Sequence, residues 1–253
     1  MRIKLSLGLL FSILFFNICH ADDKPPIHLV TTDWPPYVVQ QGEDHGYIYK
    51  IVNLAFQKAG YQTVISFMPW KDAMDLKAHG NEAFFPAYER PDRTDLACSD
   101  SIYSGPIAFF KKKSSPIQFL TSPVDNELQA LHDLQQYRFG IVEDYANTQT
   151  FDKATFLNKK AVISDYANLQ QLQDGKVDLI IADVFVALNL MKKYSPAFDD
   201  IEMMSPSLEY KNVYLCFSNQ ALNYQDKLTA FNHSLNEMES SGQLNDIVAA
   251  SGG

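Results

Sequence analysis

Hydrophobic residues along the first third of the chain switch between two spacings, and the switch predicts strands and helices in turn. Short apolar runs at 27–32, 63–67 and 82–87 favour strands. Between them, apolar residues at helical spacing from Ile48 to Ala59 predict a helix that Gly60 ends. A second helix is predicted from Trp70 to His79. Repeated strand and helix units imply mostly parallel sheets covered by helices on both faces.

The same alternation resumes after Pro116. Strands are predicted at 138–142, 161–163, 177–182 and 213–218, and helices at 126–134, after Asn147, at 167–173, at 184–193 and after 218. A break near 104–106 and the late return to strand and helix predict an α/β protein with two lobes. The first lobe comprises residues 22–105 plus 210–253, and the second comprises 106–209. Ligands of open α/β sheets bind beyond the carboxyl ends of strands, so the loops there are the candidate site.

Residues 1–21 have the features of a secretory signal peptide. Arg2 and Lys4 precede an uncharged run at 5–18, which is shorter than the roughly 20 apolar residues of a membrane-spanning helix. Cleavage after Ala21 is favoured over a lipoprotein in which Cys19 is acylated. We therefore expect an exported protein, periplasmic if the source is a Gram-negative bacterium.

Charge and composition exclude several classes of function. The formal net charge is −9, and loss of the leader removes two further positive charges, which argues against a nucleic-acid partner. The six histidines have no metal-ligand spacing, and no nucleophile elbow or glycine-rich phosphate loop is present. We expect no metal, no cofactor and no catalytic residue. Cys98 and Cys216 remain after cleavage, either as a disulfide or as two buried thiols.

Charged and aromatic candidates follow the predicted strands. Arg90 and Arg93 offer planar donor forks suited to a carboxylate, unless they merely offset nearby acidic residues. Asp183 ends the strand 177–182 and either meets a ligand cation or caps the next helix. The aromatic candidates either line a ligand pocket or pack in the core: Trp34, Tyr37, Trp70 and Tyr88. Thr148 either caps a helix or helps to hold an anion.

Five segments in order resemble the periplasmic solute-binding proteins of polar amino acid ABC transporters, the bacterial extracellular solute-binding protein family 3. They are TTDWPPY, GYIYKIVNLAFQKAGY, PWKDAMDLKAHG, PDRTDLACSDSIY and GKVDLIIAD, and together they span nearly the whole mature chain. The resemblance implies a type II periplasmic-binding-protein fold. In that fold, two lobes of mostly parallel sheet, flanked by helices and joined by two crossing strands, close on a small ligand.

The resemblance also implies roles for particular residues. Arg93 matches the arginine that holds the ligand's α-carboxylate, with Arg90 as a substitute because the spacing to Ser99 is one residue short. Asp183 matches the partner of the α-ammonium group. Tyr37 and Trp70 fall near the family's aromatic contacts, and Thr148 lies near its Gly-Ser/Thr loop.

One departure affects the expected ligand. Where amino-acid binders have Ser or Thr before the arginine, this chain has Pro86, Ala87 and Tyr88. A larger or more aromatic carboxylate therefore becomes plausible beside an ordinary amino acid.

Three functions stay open from the sequence. The first is a monomeric, non-catalytic receptor for a small amino-acid-like or carboxylate-bearing solute, serving an ABC permease or a membrane sensor. The second is a periplasmic enzyme on the same fold, similar to cyclohexadienyl or arogenate dehydratases, with Glu89 or Glu143 as the acid or base. The third is a degenerate module that only presents an interaction surface.

Overall fold

The computed structural model describes residues 24–42, 44–90 and 92–251. The predicted signal peptide therefore lies outside the described residues. The strands are β1 Ile27–Thr31, β2 Thr63–Phe67, β3 Ala83–Tyr88, β4 Leu96–Cys98, β5 Tyr103–Lys112, β6 Arg138–Val142, β7 Asn158–Val162, β8 Leu179–Asp183, β9 Ile201–Met203 and β10 Glu209–Ser218. The helices are α1 Tyr47–Lys58, α2 Trp70–Ala73, α3 Pro123–Asp133, α4 Gln149–Lys153, α5 Asp165–Gln173, α6 Val184–Lys193, α7 Tyr224–Ser240 and α8 Gln243–Ala250.

The main strands follow the order β2-β1-β3-β10-β5-β8-β6-β7. β1 pairs in parallel with β2 and β3, and β6 pairs in parallel with β7 and β8. We call the part with β1 to β4 the first lobe and the part with β6 to β9 the second lobe. The mostly parallel sheets confirm the predicted two-lobed α/β fold.

Two long strands, β5 and β10, join the lobes. They pair antiparallel with each other from Tyr103 to Ile107 and from Glu209 to Val213. β5 then continues along β8, while β10 continues along β3 and β4. The predicted break at 104–106 is thus a continuous crossing strand. The lobe boundaries at 105/106 and 209/210 stay a prediction.

The first lobe is held by hydrophobic packing of its helices and by one disulfide. α1 buries one face, which includes Ile48, Val52 and Phe56, against the core it shares with α7. Cys98 of β4 and Cys216 of β10 are directly opposite each other in the register and form a disulfide, with Cα atoms 4.0 Å apart. The disulfide fixes the short strand β4 to a crossing strand.

The predicted helix from Trp70 to His79 is wrong in length. α2 ends at Ala73, and turns continue to Gly80. The side chain of Asp75 accepts a hydrogen bond from the backbone N of Ala78 at 3.1 Å. Such a bond offers the backbone a turn in place of the next helical turn.

The chain also lacks some features in the part that the structure describes. Over residues 24–42, 44–90 and 92–251, no helix combines the length and hydrophobicity needed to cross a bilayer. Across those ranges, no group of three or more His, Cys, Asp or Glu side chains is placed to hold a metal ion.

Candidate functional site

The loops after the parallel strands of both lobes meet in one cleft. The first lobe contributes the segment after β1 and the segment after β3. The second lobe contributes the loop after β6 and the starts of α5 and α6, which follow β7 and β8. This is the edge where α/β sheets bind ligands. The strand order therefore brings residues that are far apart in sequence into a single site.

A mostly aromatic pocket lies between the lobes. Its cavity volume is about 30 Å³, so the side chains nearly fill it, within about 380 Å³ of empty space that includes open solvent. It is lined by Thr32, Trp34, Trp70, Pro86, Tyr88, Arg90, Tyr145 and Ala146. The ring of Trp34 meets those of Tyr88 and Tyr145 edge to face, with centroids 5.7 and 6.3 Å apart. Trp70 and Tyr145 meet in the same way at 6.1 Å. Edge-to-face packing of this kind favours fixed ring orientations.

Asp183 accepts hydrogen bonds on both of its oxygens, and the bonds to one of them link the lobes. One oxygen, Oδ1, caps α6 by accepting from the backbone N of Val186 at 3.0 Å. The other, Oδ2, accepts from the hydroxyls of Tyr37 and Tyr88 at 2.7 and 2.8 Å. Burial raises the pKa of Asp183, and these hydrogen bonds act in the opposite direction. Asp183 therefore caps the helix and contacts two cleft tyrosines at once.

Gly105 of β5 makes this close approach possible. A Cβ atom at residue 105 would overlap the hydroxyl of Tyr37 and lie 2.8 Å from Oδ2 of Asp183. Any side chain at this position would push the tyrosine and the carboxylate apart. The glycine thus serves to bring the lobes together at Asp183.

Asp165, at the start of α5, is a second buried carboxylate in the cleft. Its Oδ2 accepts from Nε1 of Trp34 and from the hydroxyl of Tyr145, each at 3.1 Å. Burial is the largest cause that raises the pKa of Asp165, to about 6, and the charge of Asp183 acts in the same direction. The hydrogen bonds from Tyr145 and Trp34 act in the opposite direction without cancelling the effect of burial. The side chain of Asp165 therefore changes between its protonated and ionised forms near pH 6.

The two arginines lie in different surroundings. Arg90 lines the aromatic pocket, donates to both carboxylate oxygens of Asp92, and donates to the backbone O of Asp144 in the second lobe at 3.2 Å. Arg93 pairs with Asp95 through two hydrogen bonds of 2.8 Å and lines a neighbouring pocket beside the disulfide. Only Arg90 of the two therefore reaches the second lobe and the aromatic pocket.

Further contacts join the lobes around the pocket. Nε1 of Trp70 is 3.4 Å from the backbone O of Asp144. Lys211 of β10 donates to the backbone O of Ala146 and of Asn147, and its Nζ lies 4.8 Å from the centre of the Tyr88 ring. Burial lowers the pKa of Lys211. The loop after β6 is thus held by side chains of the first lobe and of a crossing strand.

Like Arg93, Tyr37 and Asp183, three further residues proposed from the sequence do not line the aromatic pocket. Thr148 is fully buried, caps α4 through Phe151, and donates to Glu127. Glu89 and Glu143, the possible acid or base of an enzyme, are exposed and do not line the pocket. The aromatic candidates, by contrast, come together with Arg90 and Asp183 at the cleft.

Sequence reasoning missed Tyr145, Asp165 and Lys211. The first lies in a loop that follows a predicted strand, and the second follows β7, so the strand-end rule could have found both. Lys211 lies within a crossing strand, where no local signal marks it. Its role depends on packing between the lobes.

Several solved structures share the fold of this chain. An ancestral arginine-binding protein bound to arginine matches with a TM-score of 0.73 and 17% identity, over 91% of this chain and 100% of that chain. A histidine kinase sensor domain with similarity to periplasmic binding proteins matches with a TM-score of 0.77 and 14% identity, over 90% and 96%. The GluR0 ligand-binding core from Nostoc punctiforme, in complex with L-glutamate, matches with a TM-score of 0.69 and 13% identity, over 88% and 97%.

Neither a protein-family model nor a curated protein sequence matches the chain. At identities below one fifth, the structural matches establish the architecture rather than the ligand. Several of the matching structures are described as amino-acid-binding or substrate-binding proteins, in keeping with the family resemblance of the sequence. The chain therefore has the two-lobed periplasmic-binding-protein fold in which such proteins bind small solutes.

Proposed function

We propose that the chain is an exported solute-binding protein that holds a small amino-acid-like or carboxylate-bearing solute between its lobes, for ABC transport or for sensing. The observation that carries the proposal is the aromatic pocket, whose walls come from both lobes and which has an arginine in its lining. Pockets for small ligands are mostly apolar with a few placed polar groups. The fold shared with amino-acid-binding proteins supports the same function.

The anchor for the ligand's carboxylate is Arg90 or Arg93. The family pattern favours Arg93, whereas the geometry favours Arg90, because Arg90 lines the pocket and contacts the second lobe. Asp183 is the proposed partner of an ammonium group, oriented by the hydroxyls of Tyr37 and Tyr88. Closure of the lobes excludes water and strengthens both ion pairs by lowering the local dielectric.

A thermal-shift screen of amino acids, short peptides and aromatic acids tests this function. A ligand that binds only the folded protein raises the melting temperature by mass action. The proposal is wrong if no member of the three classes raises the melting temperature.

Calorimetry of arginine variants, with the ligand from the screen that binds most tightly, then identifies which arginine holds the carboxylate. We expect Arg90→Ala to weaken binding by about tenfold or more, since a charge-assisted bidentate contact is lost. Arg93→Ala should retain affinity. Arg138→Ala is the matched control, because Arg138 pairs with Asp178 on the second lobe. Loss in Arg93→Ala alone would assign the carboxylate to Arg93 instead, as the family pattern implies.

A further inference from the structure

Tyr88, at the end of β3, lies between the lobes and contacts both of them. Its ring meets that of Trp34 edge to face, with centroids 5.7 Å apart, and it packs against the buried apolar cluster of the second lobe that includes Phe109 and Leu208. Nζ of Lys211, on a crossing strand, lies 4.8 Å from the centre of the same ring. The side chain therefore fills the cleft at the point where the lobes approach each other.

The hydroxyl of Tyr88 reaches the carboxylate that is the proposed partner of an ammonium group. It donates to Oδ2 of Asp183 at 2.8 Å, beside the hydroxyl of Tyr37 at 2.7 Å. Burial is the largest cause that raises the pKa of Tyr88, so the hydroxyl keeps its proton and remains a donor. A hydrogen bond to a carboxylate is also the interaction that a solute's ammonium would make at this position. Asp183 thus already faces a donor from the first lobe.

Little space is left between the aromatic side chains. The pocket has a cavity volume of about 30 Å³. Pockets for small ligands usually measure roughly 300–1,000 Å³. Trp34, Tyr88 and Tyr145 form walls of the pocket and contact one another through Trp34. A solute of amino-acid size therefore enters only if one of these side chains moves.

Hydrogen bonds run directly from the first lobe to the second around this pocket. Nε1 of Trp34 donates to Asp165 at 3.1 Å, and Arg90 donates to the backbone O of Asp144 at 3.2 Å. Hydrogen bonds to a charged group, such as those that end on a carboxylate, are the stronger ones. Each of these contacts joins protein to protein, so closure of the lobes over Tyr88 does not need a solute to bridge them.

We propose that Tyr88 is a built-in occupant of the cleft: its ring and hydroxyl take the place of a solute between Trp34 and Asp183, and the lobes close on this side chain. A solute then binds by displacing Tyr88. The displacement rests on the proposed solute-binding function, whereas the closure does not. The apparent affinity for a solute is reduced in proportion to the fraction of molecules in which Tyr88 has left the cleft. Tyr88 therefore restricts binding to solutes that replace both its ring contacts and its hydrogen bond.

The two tryptophans report opening of the cleft directly. They are the only tryptophans of the chain, and both face the second lobe: Nε1 of Trp34 bonds to Asp165, and Nε1 of Trp70 lies 3.4 Å from the backbone O of Asp144. Protein freed of co-purified solute by unfolding and dialysis is quenched with acrylamide. We expect the indoles of the unaltered protein to be shielded, and the quenching constant to rise about threefold or more in Tyr88→Ala.

Matched variants separate the ring of Tyr88 from its hydroxyl. Tyr88→Phe keeps the ring and loses the bond to Asp183, so its quenching constant should lie between those of the unaltered protein and Tyr88→Ala. Tyr61→Ala is the control, because Tyr61 packs against Phe56 of α1 and does not line the pocket. It should leave the quenching constant unchanged. Circular dichroism confirms that each variant is folded, and Tyr88→Phe carries the test if Tyr88→Ala is not.

Chemical rescue tests whether the side chain acts as an occupant. p-Cresol is the side chain of tyrosine as a free molecule, so its binding to the cavity in Tyr88→Ala should restore the shielding of the indoles. 4-Methylanisole has the same ring but cannot donate a hydrogen bond to Asp183, and it should restore less.

Three results would overturn the inference. They are indoles that are already accessible to acrylamide in the unaltered protein, no rise of quenching in either Tyr88 variant, and a rescue by p-cresol that is absent or no better than that by 4-methylanisole. None of these measurements uses a solute from the thermal-shift screen. Shielded indoles with a failed screen would refute the solute-binding function and leave the closure in place, whereas accessible indoles with a successful screen would do the reverse.

Discussion

Asp183 and Asp165 are two buried carboxylates of the second lobe that differ in how their oxygens are hydrogen-bonded. Each follows a parallel strand, lies at a helix start, and accepts a hydrogen bond from an aromatic side chain of the first lobe. Asp183 uses both oxygens and caps its helix, whereas Asp165 uses one oxygen for its two side-chain donors. Asp183 is therefore held at both oxygens and in two directions, whereas among the described residues the side chains that bond Asp165 hold only its Oδ2.

Alanine at each position should separate these two roles most clearly. Asp183→Ala leaves the backbone N of Val186 and two tyrosine hydroxyls without their acceptor. We expect it to lower the free energy of unfolding by about 4 kcal/mol, from a lost cap and unpaired buried groups. Asp165→Ala leaves the indole of Trp34 and the hydroxyl of Tyr145 without their acceptor but removes no helix cap, so its loss should be smaller, about 2 kcal/mol. Urea denaturation measures both, and equal losses would refute the comparison.

Substitution of Gly105 tests how closely Tyr37 approaches Asp183. Gly105→Ala should cost about 3 kcal/mol through overpacking. Tyr37→Phe removes the hydroxyl that the new Cβ would overlap, so the double variant should be less destabilised than the sum of the single changes. A double-mutant cycle by urea denaturation should give a coupling of about 1 kcal/mol. Strict additivity would show that the hydroxyl does not occupy this position.

The pH dependence of stability tests Asp165 alone. Its pKa is about 6 in the folded chain against an ordinary 3.8, so the folded state holds the proton more firmly. The resulting stabilisation is complete below about pH 3.8 and is lost as pH rises through 6. Between pH 5 and 7 the free energy of unfolding of the unaltered protein should therefore fall by about 1 kcal/mol more than that of Asp165→Asn.

Thermal or urea unfolding of both proteins at the two pH values gives the difference. Glu209, whose pKa is also raised, occurs in both proteins and cancels, whereas the change in Asp183 caused by losing the charge of Asp165 forms part of the measured difference. Identical pH profiles would mean that Asp165 titrates normally and is not isolated from water.

Most of the fold could be predicted from the sequence because it depends on local periodicity. Apolar spacing marked most strands and helices of both lobes, but not β4, β5, β9 and α8. The alternation of the marked elements implied parallel sheets with a site at the strand ends. The predicted helix from Trp70 to His79 was wrong in length because the carboxylate of Asp75 accepts a hydrogen bond from the backbone N of Ala78. Helical spacing of apolar residues does not reveal such competition.

The site was harder to predict because its contacts cross between the lobes. Trp34, Tyr37 and Tyr88 could be chosen as aromatic candidates from their loops, but their acceptors lie 131, 146 and 95 residues further along the chain. Asp165 resembles any helix-start aspartate until burial and its partners are known. The choice between Arg90 and Arg93 likewise depends on the contact of Arg90 with Asp144 in the second lobe, since each arginine also pairs with an aspartate two residues ahead.

The disulfide between Cys98 and Cys216 has a mechanical consequence. The two residues are 118 positions apart, so the covalent loop they close contains the whole second lobe and most of both crossing strands. Tension applied at the two ends of the chain passes through the disulfide and does not reach residues 99–215. The second lobe is therefore shielded from stretching for as long as the bond is intact, and reduction would expose it to the full force.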